Sequence, residues 1–135
     1  IGKVEKAYQL FLHATRLDLD DYNNEADQGL HITSMPGSWL AIVRGFAGMQ
    51  VLKETLCFSP VIPQKWDSYS FKVNYLKNTL HIRVGKEIEI SLTAGSKVDI
   101  QVYGHPYTLE RGTELKINMP MTCGVIAQHK HCAAN

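Results

Sequence analysis

Apolar residues recur at two different periods along this chain, and the period changes near Gln50. From Gly2 to about Leu17, the residues Val4, Ala7, Tyr8, Leu10, Phe11, Ala14 and Leu17 fall at helical spacing, with Lys3, Glu5, Lys6, Gln9 and Arg16 on much of the other face. This predicts an amphipathic helix. A helix of this length is marginal alone in water, so it needs a surface to pack on. Asp18 to Gly29 is polar and aperiodic and reads as a loop. A second helix is predicted from about Pro36 to Met49, and the pair suits an antiparallel hairpin. That helix carries Gly37, Ala41, Gly45, Ala47 and Gly48. Glycine weakens a helix by about 1 kcal/mol relative to alanine. Several in one helix imply close neighbours, and hence a helix buried nearly all round.

Beyond Gln50 the period is two. Thr55 to Phe58 is a short candidate strand, and Pro60 and Pro63 then impose an extended link. Phe71, Val73 and Tyr75 alternate with polar residues, as do Leu80, Ile82 and Val84, then Ile88, Ile90 and Leu92, then Val98, Ile100 and Val102. Turns are expected at Lys77-Asn78, Gly85-Lys86, Ala94 to Ser96 and Arg111-Gly112, with a break at Gly104 to Pro106. Tyr107 and Leu109 begin a short strand, and Leu115 and Ile117 end the series. Short alternating strands at this spacing read as an antiparallel sandwich. The fold class is therefore α+β: residues 1–50 are helical, 51–120 form the sandwich, and 121–135 are a patternless tail.

Composition narrows the picture. With 135 residues, 44% hydrophobic and 20% charged, the chain can bury a real core and is not disordered by default. A net charge of +1 supplies no pull toward nucleic acid or an anionic membrane. No stretch is apolar for long enough to span a bilayer. The three cysteines, Cys57, Cys123 and Cys132, are an odd and sparse set that suits reduced thiols in the cytoplasm. The chain starts at Ile1 without methionine, which reads as a piece of a longer protein.

Candidate chemistry concentrates before the second helix. Ser or Thr just ahead of Pro, followed by the apolar run WLAIV, reads as a helix start. The unpaired N–H groups of a helix start form a ready phosphate site. Thr33, Ser34 and Gly37 could hold such an anion, or could simply cap the helix. His31 has two equal readings, a donor to phosphate or sugar and a histidine satisfied by backbone. Asp18, Asp20 and Asp21 are better read as a turn network than as paired catalytic carboxylates. His129, His131 and Cys132 match no standard zinc spacing, so no metal is assigned. Trp39 and Trp66 could stack on sugar rings, but buried or interface packing is the more usual role of tryptophan.

The segments DLDDYNN, GLHITSMPGSWLAIVRGFAGM and LCFSPVIPQKWDSYSFKVNY, spanning roughly Leu17 to Tyr75, resemble the C-terminal part of the maltose, trehalose and kojibiose phosphorylase family. Pro36 stands where that family usually has alanine, and Ser38 where it has threonine. The resemblance implies the last helices of an α/α helical barrel followed by a C-terminal sandwich of jelly-roll type. It implies an inverting phosphorolysis of an α-glucosidic disaccharide to β-glucose 1-phosphate, with no cofactor and with the general acid elsewhere in the barrel. Phosphate would sit against the loop containing Ser34, with Thr33, Gly37 and His31 beside it. A basic residue of the sandwich would assist, for which Lys72 is the candidate; an exposed strand lysine is its alternative reading. Partners would be phosphate, disaccharide and the rest of the barrel, in a homo-oligomer. The rival functions are a trehalase-like hydrolase of the same family and a non-catalytic carbohydrate-binding or structural sandwich.

Overall fold

The computed structural model describes residues 2–16, 20 and 34–120. Helix α1 spans Gly2–Thr15. At its end the Thr15 hydroxyl donates to the carbonyls of Phe11 and Leu12, at 3.0 and 3.1 Å. The Arg16 guanidinium then grips both carboxylate oxygens of Asp20 at 2.8 Å. Asp20 thus belongs to a turn network, while Asp18 and Asp21 lie outside the described residues.

The second helix differs from expectation in two ways. Helix α2 is short, Ser34–Leu40, and it runs directly into a π-helical segment, Ala41–Phe46. Such wide turns are rare and are held by their surroundings. Here Val43, Phe46 and Ala47 are buried, with Val43 and Ala47 in the sandwich core. The helix is also not buried all round: Met35 is 68% exposed, and Trp39 and Leu40 are each 46% exposed. A Cβ added at Gly37 or Gly45 would meet nothing within 4 Å. The apolar composition is real, but this chain supplies no neighbour on that side among its described residues.

Eight strands follow: β1 Gln50–Leu52, β2 Thr55–Phe58, β3 Tyr69–Tyr75, β4 Asn78–Val84, β5 Glu87–Ala94, β6 Lys97–Val102, β7 His105–Glu110 and β8 Glu114–Asn118. They form two four-stranded sheets, ordered β1-β2-β6-β7 and β3-β4-β5-β8, neither closed into a barrel. Pairing is antiparallel except between β2 and β6, which run parallel with Leu56 opposite Ile100 and Phe58 opposite Val102. The all-antiparallel expectation is corrected at that one pair, and β1 is a strand that the alternation did not mark.

The inward positions match the period-two pattern. Leu80, Ile82, Val84, Ile88, Ile90 and Ile100 are fully buried, and Leu56, Phe58, Val102 and Leu109 nearly so. Each such side chain contributes about 1.5–3 kcal/mol relative to exposure. Two turns sit one or two residues away from the expected places. The β3-β4 hairpin turns at Leu76 and Lys77, both with positive φ, and Asn78 begins the next strand. The buried Asn78 amide donates to the Leu76 carbonyl at 3.0 Å, and its oxygen accepts from Ser96 N–H at 3.2 Å. The β6-β7 hairpin turns at Tyr103 and Gly104, so His105 and Pro106 lie inside β7. Proline is tolerated there because β7 is an edge strand.

Candidate functional site

The helical segment and the sandwich meet at one joint. The Ala47 N–H donates to Ile42 C=O at 2.8 Å, and Met49 N–H reaches Val43 C=O at 3.0 Å. The second bond spans six residues across Gly48 at φ +58°, the pattern of a helix closed by a left-handed residue. A Cβ at Gly48 would lie 2.8 Å from the Ser59 carbonyl oxygen, so only glycine fits without a shift. The connector between β2 and β3 satisfies two more helix-end carbonyls: Ser59 N–H donates to Ala47 C=O at 3.1 Å, and Val61 N–H to Phe46 C=O at 2.7 Å. Buried carbonyls at a helix end need such partners.

Trp66, in the same connector, packs its ring against four others. The centroids lie 5.8 Å from Tyr8 and 5.4 Å from Phe11 of α1, 4.9 Å from Phe46 of the π-helix, and 5.6 Å from Tyr69 of β3. Phe11 and Phe46 also meet edge to face at 5.7 Å. The chain of rings continues from Tyr69 to Phe71, and from there to Phe58 in the core. Edge-to-face pairs contribute about 0.5–1.5 kcal/mol each beyond burial. The Tyr69 hydroxyl donates to Val61 C=O at 3.0 Å and ties the cluster to the connector. Trp66 is therefore a packing residue. Phe46 and Tyr69 are not marked by the sequence patterns; the available signal was the aromatic spacing around the Pro63 to Trp66 link.

The residues proposed for phosphate lie at the other end of the helix. Ser34 is the first residue of α2, two residues earlier than expected, which places Pro36 in the first turn where its missing N–H leaves no bond unmade. Gly37 is exposed on the same helix. Thr33 and His31 lie outside the described residues, as do Cys123, His129, His131 and Cys132. Lys72 is exposed on the outer face of β3, across from His81 of β4. Its neighbours there are strand residues, on a different element from Ser34 and Gly37.

Other surfaces offer less chemistry. Among the described residues no three His, Cys, Asp or Glu side chains are placed to hold a metal ion. An open groove on the first sheet is lined by Thr55, Asp99, Gln101, Pro106, Tyr107 and Thr108. There the Thr108 hydroxyl donates to Asp99 at 2.6 Å. Tyr107 is the one aromatic of that lining, which is a sparse platform for a sugar ring. Cys57 is a buried thiol that donates to Thr55 C=O at 3.5 Å and to Gln101 Oε1 at 3.8 Å. No helix among the described residues is long and apolar enough to cross a membrane.

Comparison with known proteins follows the same two-part division. Residues 1–40 match the glycosyl hydrolase family 65 central catalytic domain, and residues 49–109 match the glycosyl hydrolase family 65 C-terminal domain. The maltose phosphorylase of Bacillus subtilis is 47% identical over 107 residues, which is 78% of this chain and 14% of the relative. The alpha,alpha-trehalose phosphorylase of Geobacillus stearothermophilus is 38% identical over 118 residues, 87% of this chain and 15% of the relative. A solved structure described as a kojibiose phosphorylase from human microbiome superposes with a TM-score of 0.76 at 36% identity, covering 82% of this chain and 15% of that one. The chain thus spans about one seventh of the length of these relatives, 14% and 15% in the two curated cases. Helices and sandwich together place this chain in the C-terminal part of glycosyl hydrolase family 65, among the relatives of the maltose, trehalose and kojibiose phosphorylases.

Proposed function

We propose that the full-length protein is an inverting disaccharide phosphorylase, and that this part supplies a portion of its phosphate cradle. The observation that carries the reading is the 47% identity to a maltose phosphorylase, over 78% of this chain. Residues 1–50 would close the catalytic barrel, 51–120 would form the C-terminal sandwich, and 121–135 would be a tail. Eight strands in two sheets, with the chain crossing between them, support a jelly-roll reading of the sandwich. The buried Cys57 thiol suits a reducing, cytoplasmic setting. Exposed Val51 on edge strand β1 is compatible with a homo-oligomer.

In the proposed reaction a phosphate oxygen attacks the anomeric carbon as the glycosidic C–O bond breaks. The leaving oxygen takes its proton from a carboxylic acid outside this chain. External phosphate takes the place of the second carboxylate and its water in an inverting hydrolase. Ser34, Thr33 and Gly37 would bind that phosphate at the start of α2, with His31 beside them. Lys72 keeps a lesser claim, since it projects from a separate strand.

The test is turnover of maltose, trehalose and kojibiose by the full-length protein, with and without phosphate. Phosphate-dependent release of glucose 1-phosphate is expected; release of glucose alone, independent of phosphate, would make it a hydrolase. The 135-residue chain by itself is expected to be inactive, lacking the acid and the sugar site. Ser34→Ala is expected to raise the phosphate KM about tenfold, as loss of one charge-assisted hydrogen bond near 1.4 kcal/mol requires. The disaccharide KM should stay unchanged. A lower Tm with unaltered phosphate kinetics would reduce Ser34 to a helix cap.

A further inference from the structure

The groove on the outer face of the β1-β2-β6-β7 sheet has no part in the function proposed above. We propose that it is a saccharide site, which holds a neutral, hydroxyl-bearing ring through Asp99, Thr108 and Thr55. The inference goes beyond the phosphate reading and does not rest on it: such a site suits a phosphorylase and a hydrolase equally.

The pairing register assembles the lining. Val98, Ile100 and Val102 of β6 are buried in the core, so Asp99 and Gln101 fall on the outer face, about 6.7 Å apart along the strand. Strand β7 sets Thr108 opposite Asp99 and Pro106 opposite Gln101. Thr55, at the start of β2, closes the groove on the other side. The volume is about 510 Å³, within the usual range for small-molecule clefts of about 300–1,000 Å³.

The chemistry of that lining selects the ligand. The Thr108 hydroxyl donates to Asp99 Oδ1 at 2.6 Å, which fixes the plane of the carboxylate and presents Oδ2 as an acceptor. Thr108 keeps its own lone pairs, and Thr55 adds a second hydroxyl that both donates and accepts. Adjacent hydroxyls of a saccharide match this set: one donates to Asp99, where a charged acceptor makes the stronger bond, and its neighbour exchanges a bond with a threonine. Among the described residues the lining carries one charge, the Asp99 carboxylate, and no cation, so an anion such as phosphate is repelled. Tyr107 lies opposite Ile100 and packs against the core, so recognition runs through hydroxyls rather than ring stacking, with Pro106 as the apolar contact. An open groove without a stacking ring binds weakly, in the millimolar range.

The experiment titrates the 135-residue chain with maltose and follows backbone amides in proton–nitrogen correlation spectra, with inorganic phosphate and n-butylammonium as comparison probes. Maltose is expected to shift the amides of residues 99–101 and 106–108 saturably, and neither ion is expected to do so. Asp99→Ala should weaken maltose binding about tenfold, as loss of a hydrogen bond to a charged acceptor requires. Thr108→Val should weaken it about threefold, because the carboxylate loses its anchor. Both positions are exposed, so the spectra should otherwise match those of the wild type. No saturable shift at these amides, shifts centred elsewhere, or unchanged affinity in Asp99→Ala would overturn the site. An equal response to n-butylammonium would make the groove a cation site and overturn the saccharide assignment. None of these outcomes bears on the phosphate kinetics of the full-length protein, so this inference and the phosphate reading stand or fall separately.

Discussion

The sandwich and the helical segment bury their apolar residues to opposite degrees. In the sandwich the inward side chains of β4, β5 and β6 are essentially inaccessible to water, Leu80, Ile82, Ile90 and Ile100 among them. On α2, Met35, Trp39 and Leu40 stand open, as does Leu10 of α1 at 62%. Both regions are built from similarly apolar sequence. What separates them is whether the described residues supply the partner surface. The sandwich completes itself, whereas among the described residues α1 and α2 each cover one face only. The inner face of α1 finds Trp66 and Phe46, while Leu10 on α1 and the apolar residues of α2 stay uncovered among the described residues.

This contrast can be broken at three points. The largest effect is expected inside the sandwich. Ile82→Ala, at a fully buried site, should cost about 2–5 kcal/mol in a denaturant titration of the chain. A cost under 1 kcal/mol would mean that the sandwich is not the self-sufficient core described here.

Gly48→Ala tests the joint. Its left-handed backbone adds about 1–2 kcal/mol of strain for an L-residue, and the approach of Ser59 adds about 1–3 kcal/mol of overpacking. A loss of about 2–5 kcal/mol is therefore expected. Near-neutral behaviour would mean that the helix end can move freely relative to the connector.

The smallest change in stability is expected on the open face. Leu40→Glu should alter unfolding by no more than about 0.5 kcal/mol, as exposed positions usually do. It should nonetheless reduce concentration-dependent self-association of the 135-residue chain, read by light scattering, because exposed apolar patches drive association. Unchanged association would show that this face is not what brings copies together.

The same contrast explains what the sequence makes legible. Strand faces such as Leu80-Ile82-Val84 were readable because their partners sit on the facing sheet and the period of two is local. The burial of the second helix differs from expectation because composition reports how apolar a helix is and not what lies beside it; among the described residues nothing covers Met35, Trp39 or Leu40. The parallel pair escaped notice because nothing local in Leu56 or Phe58 names Ile100 as a neighbour. Gly48 looked like a close-packing glycine, since a left-handed helix end and a helix–helix contact use the same residue. At the candidate site, the helix start was legible to within two residues. Packing, the commoner use of tryptophan, holds for Trp66, but its partners were not legible, because stacking on sugar and stacking on Phe46 demand the same ring. Only the three elements converging on it decide between them.

The parallel pairing has a consequence for the order in which this chain assembles. The hairpins joining β3, β4 and β5 are local and can close on a scale of about 1–10 μs. Strand β2 has no such option: its seat beside β6 is 44 residues away, on a strand made after the entire β3-β4-β5 meander. Loop closure over that distance must precede any gain from the pairing, which slows folding. On a ribosome, β2 and the short β1 hairpin beside it emerge first and wait, with Leu56 and Phe58 uncovered, until residues 97–102 follow. The bonds of the joint itself, from Ser59 to Ala47 and from Val61 to Phe46, are local and need not wait. What sets late is the sheet beside it, and the period before β6 arrives is when an unfinished strand of another copy could take its place.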